Sequence, residues 1–115
     1  MDTLVAHGGA IHGKPGDAAQ AARTLRALSG ATHRVVSGLV IGDAEAVAVT
    51  EVDFRELDDA WIDWYVGTGE WEERAGGYAI QGRGAALVRG IRGDYSNVVG
   101  LPVAALLDAA PWLLA

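Results

Sequence analysis

Gly8 and the pair Gly13-Lys14 stand at the spacing that opens a phosphate-binding loop, Gly-x4-Gly-Lys. That loop needs Ser or Thr next, to hold magnesium through its hydroxyl. Here the position is Pro15, which has neither a hydroxyl nor a backbone N–H. A Walker-type loop is therefore excluded on its chemistry. What survives is one cationic side chain on a glycine-rich loop just ahead of a helix start, where free N–H groups and the helix dipole favour an anion. Lys14 is the single lysine among nine cationic side chains, the others being arginine. An exposed loop lysine is the plain alternative on this feature alone.

Other reactive side chains form weaker patterns. His7, His12 and His33 are scattered, and no third ligand stands near the first two. Ser29, Ser37 and Ser96 all lie outside a Gly-x-Ser-x-Gly elbow, so serine catalysis of that type is not expected. Asp53, Asp58, Asp59, Asp63, Glu70, Glu72 and Glu73 make an acidic zone, read mostly as a solvated face; Asp58 and Asp59 suit the start of a helix. Trp61, Trp64 and Trp71 read as core or interface side chains rather than a ligand cage.

The elements that must position these residues follow from periodicity and turn chemistry. Asp2 to Ala6 reads as a strand end and His7 to Gly16 as a turn-rich loop. Asp17 with Gln20 forms a capping-box pattern ahead of a helix whose apolar face is Ala18, Ala21, Ala22, Leu25 and Leu28, stopped by Gly30. His33 to Ile41 and Ala46 to Phe54 read as a hairpin about Gly42-Asp43. On the second strand Val47 and Val49 share one face and Thr50, Val52 and Phe54 the other, so both faces are expected to be partly covered. Leu57 to Val66 reads as a helix with Leu57, Trp61 and Tyr65 in line. Tyr78 to Gln81 and Ala85 to Ile91 are strand candidates, Gly93 to Asn97 a loop, and Pro102 opens a last helix that Pro111 ends. The order predicts a mixed α/β, or α+β, fold with helices against a largely antiparallel sheet.

The 115 residues are enough for one domain, and 50% hydrophobic content with mean hydropathy +0.17 argues for a packed core. A net charge of −6 disfavours a non-specific nucleic-acid binder, while a phosphate substrate needs only local cations. There is no cysteine, hence no disulfide framework and no thiolate metal site. No apolar run is long enough to span a bilayer, and no signal peptide is evident; no membrane association and a cytoplasmic setting are expected.

Taken in order, several segments resemble the Maf family of nucleotide pyrophosphatases. Asp2-Thr3-Leu4-Val5 is similar to its Asp-Thr-Val-Val strand end, and Gly13-Lys14-Pro15 with Asp17-Ala18 to its Gly-Lys-Pro motif and following helix. Leu28-Ser29-Gly30-Ala31-Thr32-His33, Ser37-Gly38 and Thr50-x-Val52-x-Phe54 follow in register, with Ser37 where the family has threonine. Gly69-Glu70 and then Ala75-Gly76-Gly77-Tyr78-Ala79-Ile80-Gln81-Gly82 make the most specific block, and Tyr95-Ser96-Asn97-Val98-Val99-Gly100-Leu101-Pro102 is nearly as specific. Arg74 stands where the family commonly has lysine.

The resemblance implies a Maf/ITPase-like twisted mixed sheet flanked by helices, and hydrolysis of dTTP, UTP and related non-standard pyrimidine nucleotides to the monophosphate and pyrophosphate. It implies a divalent cation, magnesium or manganese, and a homodimer, for which surplus apolar surface also speaks. Asp2 falls on the family's catalytic aspartate, which can activate water or hold the metal; both readings stay open. Lys14 falls on its phosphate-binding lysine. Thr3 and Gln81 match the branch acting on dTTP and UTP, and a glutamine amide offers the donor and acceptor that a thymine or uracil edge requires. A strand-end glutamine bonding to backbone is the alternative for Gln81. Family members open with a Ser-x-x-Arg type segment that grips phosphates, whereas only Met1 precedes Asp2 here. The expectation is a single partial Maf-like domain over residues 1–115 lacking that segment, with activity impaired in consequence. The alternatives are a non-catalytic nucleotide-binding or protein-pairing remnant of the same fold, and an unrelated interaction module in which Asp2, Lys14 and Gln81 lie apart.

Overall fold

The longest stretch of period-two alternation in the chain forms a hairpin, and the remaining elements pack around it. In the computed structural model, which describes residues 2–114 and the side chains of residues 3–112, β3 (Thr32–Ile41) pairs antiparallel with β4 (Ala44–Phe54). Gly42 turns the hairpin at φ +60°, a left-handed conformation that glycine adopts without steric cost. Strand β1 (Asp2–His7) lies on the other side of β3, and β2 (Ala10–His12) flanks β1. Strand β5 (Val88–Arg92) closes the far edge against β4. The five strands run in the order β2-β1-β3-β4-β5 and pair antiparallel throughout. The mixed α/β class holds, while the sheet within the described residues has no parallel pair.

Alternation along β3 and β4 separates the two faces. His33, Val35, Ser37 and Leu39 turn inward with Thr50, Val52 and Phe54, and all are buried. Helix α1 (Ala18–Leu28) covers this face through Ala21, Thr24, Leu25 and Leu28. Asp17 caps it by accepting from the Gln20 N–H at 2.7 Å, and the Gln20 amide reaches back to the Gly16 N–H at 2.7 Å. Ala18, expected on the buried face, is exposed because it sits in the first turn, beyond the sheet contact. Helix α2 (Asp59–Gly67) lies beside α1 and buries Ile62 and Tyr65. The expected line Leu57-Trp61-Tyr65 does not form: Asp58 caps the helix, so Leu57 precedes it and is buried separately, and Trp61 and Trp64 are 38% and 46% exposed.

The other face of the sheet is apolar and open among the described residues. Leu4, Val36 and Val49 stand in register across it, and Val47 and Val49 are 70% and 52% exposed. The expectation that both faces of β4 are partly covered is thus corrected at Val47 and Val49, which are mostly exposed. Ile11 and Val40 extend the exposed surface, and Arg92, paired to Asp53 at 2.6 Å and to Glu51 at 3.5 Å, edges it.

Three local expectations change. The glycine-rich loop after β1 contains a short strand, β2, turned by Gly8 and Gly9 at positive φ. Tyr78 to Gln81 is no strand: a 3-10 turn at Ala75–Gly77 leads into an irregular segment and a second 3-10 turn at Arg83–Leu87, so β5 begins only at Val88. Tyr95 to Val99, read as loop at its start, forms the short helix α3, followed by α4 (Val103–Ala109). Asp94 explains both, since its carboxylate accepts from the Ser96 N–H at 2.8 Å and the Ala104 N–H at 3.3 Å. Buried Asn97 then ties α3 to the sheet by donating to the Val35 carbonyl at 3.0 Å and the Thr50 hydroxyl at 3.1 Å.

His33 is the one imidazole in the core. It is 1% exposed, packs edge-on against Phe54 and shares a 2.7 Å hydrogen bond between Nε2 and the Tyr78 hydroxyl. Burial, helped by His7 and His12 and opposed by Asp53, lowers its pKa to about 4. Between that value and the ordinary 6.5 the unfolded chain binds more protons than the native one, so stability is full above pH 6.5 and falls as the pH drops towards 4. The loss should be on the order of 3 kcal/mol from this group. Urea titrations at pH 7 and pH 4.5 check it: His33→Gln should start less stable and lose less on acidification, and an equal loss in both proteins would contradict this origin. Asp53, on the opposite face of the sheet, has its pKa lowered to about 2 by its bonds to Arg92 and Thr32, so its contribution is lost at more acid pH.

Candidate functional site

A cleft of about 820 Å³ opens over the β1–β3 part of the inner face. That is ample for a nucleotide-sized ligand, as such sites span roughly 300–1,000 Å³. Its floor is Thr3, Val5 and Val35 from adjacent strands. One wall is the segment from Gly69 to Gly82, and the opposite wall is Val98, Val99 and Gly100 at the end of α3. Lys14 stands on the rim.

Each side chain is placed by a specific local device. Thr3 is turned inward by strand alternation, and its hydroxyl shares a 3.0 Å hydrogen bond with Ser37, its register partner on β3. Lys14 rides on the loop between β2 and α1. That loop is tied to the cleft wall where the Gly76 N–H donates to the Gly13 carbonyl at 3.1 Å. Pro15 is buried, and a Cβ on Gly77 would come within 3.2 Å of its ring. Gly76 sits at φ +73° with its Cα pressed so close to the sheet that an added Cβ would meet Val5 Cγ2 at 2.7 Å. The proline that rules out a Walker loop therefore seats the loop carrying the lysine.

The Lys14 ammonium lies 3.5 Å from Glu73, with both side chains largely in water. Such an exposed pair is weak and readily exchanged for another anion. Glu73 is the one described non-glycine residue at positive φ, 60°. Arg74 also lines the cleft, so two cationic side chains border it, beside the carboxylates of Glu72 and Glu73.

Gln81 is exposed and sits at the second central position of a tight turn, which the Gly82 N–H closes on the Ala79 carbonyl at 3.1 Å. Its neighbour Ile80 is buried and pins the turn to the core. The strand-end alternative for Gln81 is therefore set aside by the local geometry.

Thr3, Lys14 and Gln81 line the same cleft although they come from three separate parts of the chain. The reading that held Lys14 and Gln81 apart is not what the fold shows. Asp2 begins β1 and its backbone pairs with Gly38, next to Thr3; its side chain lies outside those described. Among the described residues no three His, Asp or Glu side chains gather into a set that could hold a metal ion.

Glu70, read from sequence as part of a solvated acidic zone, instead lies in the cleft wall and is fully engaged. It accepts from the Arg83 N–H at 3.0 Å, the Gly84 N–H at 3.3 Å and the Tyr65 hydroxyl at 3.2 Å. The Arg83 N–H above all holds its carboxyl below the usual carboxylate range. Tyr65 takes part from α2, accepting from the Ala79 N–H at 2.8 Å. The glycines at 82 and 84 were the available signal, since close approach of a carboxylate to backbone N–H groups needs residues without a Cβ.

No described helix is long and apolar enough to cross a membrane. The profile of a family described as Maf-like protein matches residues 1–110. The chain is 51% identical over 110 residues to a dTTP/UTP pyrophosphatase of Pyrococcus furiosus, covering 92% of this chain and 58% of that one. It is 52% identical to a dTTP/UTP pyrophosphatase of Anaeromyxobacter dehalogenans, covering 96% of this chain and 65% of the relative. A third, from Deinococcus radiodurans, is 44% identical with 92% and 56% covered. The chain thus spans between 56% and 65% of the length of these three relatives. With its cleft built from the same stretches of sequence that run in order through the matched region, the chain belongs to the Maf family.

Proposed function

We propose that this domain serves a nucleoside triphosphate pyrophosphatase that hydrolyses dTTP, UTP and related non-standard pyrimidine nucleotides to the monophosphate and pyrophosphate. The observation that carries the reading is the convergence of Thr3, Lys14 and Gln81 on one nucleotide-sized cleft. Asp2, beside Thr3 at the start of β1, is assigned to the reacting end. Its carboxylate takes the proton of a water whose oxygen attacks the α-phosphorus, and pyrophosphate leaves with the electrons of the broken α–β bond. Lys14 exchanges Glu73 for the phosphate chain and offsets the charge that builds on it. Thr3 borders the reacting end, and Gln81 offers its amide to the pyrimidine edge.

A divalent cation, magnesium or manganese, belongs to this proposal. Ions of this kind are commonly held by one or two carboxylates together with substrate phosphates. That suits a site where the described residues form no cage of their own and where Asp2 is the protein ligand assigned. When bound, the cation would neutralise phosphate charge. A cytoplasmic setting is the matching proposal for an enzyme of free nucleotides.

Pyrophosphate release from dTTP and UTP with magnesium or manganese tests the reading. Turnover should fall by at least about a hundredfold in Asp2→Asn, the scale usual for a lost general base, and should stop on chelation of the metal. Lys14→Ala should raise KM and lower kcat together, since its charge meets the phosphate chain both before and during bond breaking. Absence of turnover in well-folded protein, with dTTP and UTP still raising its melting temperature, would instead support a nucleotide-binding domain without catalysis.

The open outer face of the sheet favours one further reading, a homodimer. Exposed Val40, Val47 and Val49 form an apolar surface of the kind that pairs. Light scattering should give twice the chain mass, and Val47→Asp should return it to the monomer; a monomeric parent protein would dismiss this pairing.

A further inference from the structure

The turn that carries Gln81 is anchored at both ends by one pair of side chains. At its start the Ala79 N–H donates to the Tyr65 hydroxyl at 2.8 Å. At its end the Arg83 and Gly84 N–H groups donate to the two Glu70 oxygens at 3.0 and 3.3 Å. The Tyr65 hydroxyl donates to Glu70 Oε1 at 3.2 Å and completes the circuit. The glycines make this approach possible. An added Cβ at Gly82 would meet Glu70 Oε1 at 2.6 Å, and at Gly84 it would collide with the Ala79 carbonyl oxygen. Tyr65 is fully buried and fixed by α2, so the circuit refers the turn to the core rather than to the surface.

We propose that Tyr65 and Glu70 are positioning residues for pyrimidine discrimination: they hold the 79–84 turn so that the Gln81 amide meets the base edge at one distance. The inference rests on the reading that Gln81 faces the base. Uracil and cytosine differ only at one edge, where donor and acceptor are interchanged. A wandering loop lets the whole side chain shift to follow whichever edge is presented, whereas a turn tied at both ends leaves it only the flip of its own amide. Neither Tyr65 nor Glu70 needs to touch the nucleotide, since the hydroxyl and both carboxylate oxygens are already occupied by the turn and by each other.

The test compares the chain with its Glu70→Gln and Tyr65→Phe variants. Binding is measured by thermal shift, with magnesium, for three probes: α,β-methylene UTP, α,β-methylene CTP and inorganic triphosphate. The parent protein should favour the uracil analogue. In both variants that preference should shrink by about tenfold, the scale of one well-placed hydrogen bond, while affinity for inorganic triphosphate, gripped by Lys14, stays unchanged. Amide hydrogen exchange at Ala79, Arg83 and Gly84 should quicken in step. Tyr65→Phe serves even if Glu70→Gln fails to fold, because its ring keeps the core filled. Folded variants with exchange quickened and preference intact would overturn the positioning role. Equal loss for all three probes would show a merely structural role and overturn it too. A parent protein without any uracil preference would instead remove the base reading of Gln81, and this inference with it.

Discussion

Everything in this domain leans on one constraint, that an antiparallel sheet with alternating side chains can bury only the face that other elements cover. Strands β3 and β4 carry the longest such alternation, and their inward residues decide where α1, α2 and α3 must dock. Val35 illustrates the economy of the arrangement. Its side chain floors the cleft, its carbonyl accepts from Asn97, and its register partner on β1 is Val5. The cleft is the part of that buried face left uncovered between the 69–82 segment and the end of α3. It is therefore a consequence of how far the helices reach, not a separate feature.

Polar groups inside this core are mostly tied across it, with His33 Nδ1 and Asn97 Oδ1 left without a partner. His33 meets Tyr78, Thr50 meets the Asp94 carbonyl, and Asn97 bridges α3 to two strands. Buried polar groups are stabilising only when paired, and here each pairing joins segments far apart in sequence. The segment from Ala75 to Leu87 shows why this matters. It has little regular secondary structure, so its shape comes from Tyr65, Glu70 and His33, contributed by three other places in the chain. An irregular wall held in this way can present side chains to a ligand with little rearrangement.

The cleft lining mixes charges, with Glu70, Glu72 and Glu73 beside its two cations. The domain is acidic overall, with net charge −6, yet Lys14 and Arg74 both face the cleft. Glu73 occupies Lys14 without burying it. An anion entering the cleft thus competes with a solvated carboxylate, a low barrier, rather than with a buried ion pair.

Sequence by itself determined the elements whose signals are local: the Asp17 cap and α1, the β3–β4 hairpin about Gly42, and the stop at Gly30. It also determined, through motifs in order, the residues worth watching, among them Lys14, Thr3 and Gln81. Periodicity and capping depend on neighbours within a turn or two, so they survive in a linear reading. Tertiary structure alone decided that Tyr78 to Gln81 is a turn and not a strand, because no neighbouring strand offers it a ladder while Tyr65 and Glu70 offer it anchors. It decided that Trp61 and Trp64 lie outward and that one face of β4 is open, since burial depends on what packs above a residue and not on its hydropathy. It decided that Glu70 is a structural acceptor rather than a solvated charge. Its partners are backbone N–H groups, and those carry no signature in the side-chain sequence beyond the glycines that let them approach.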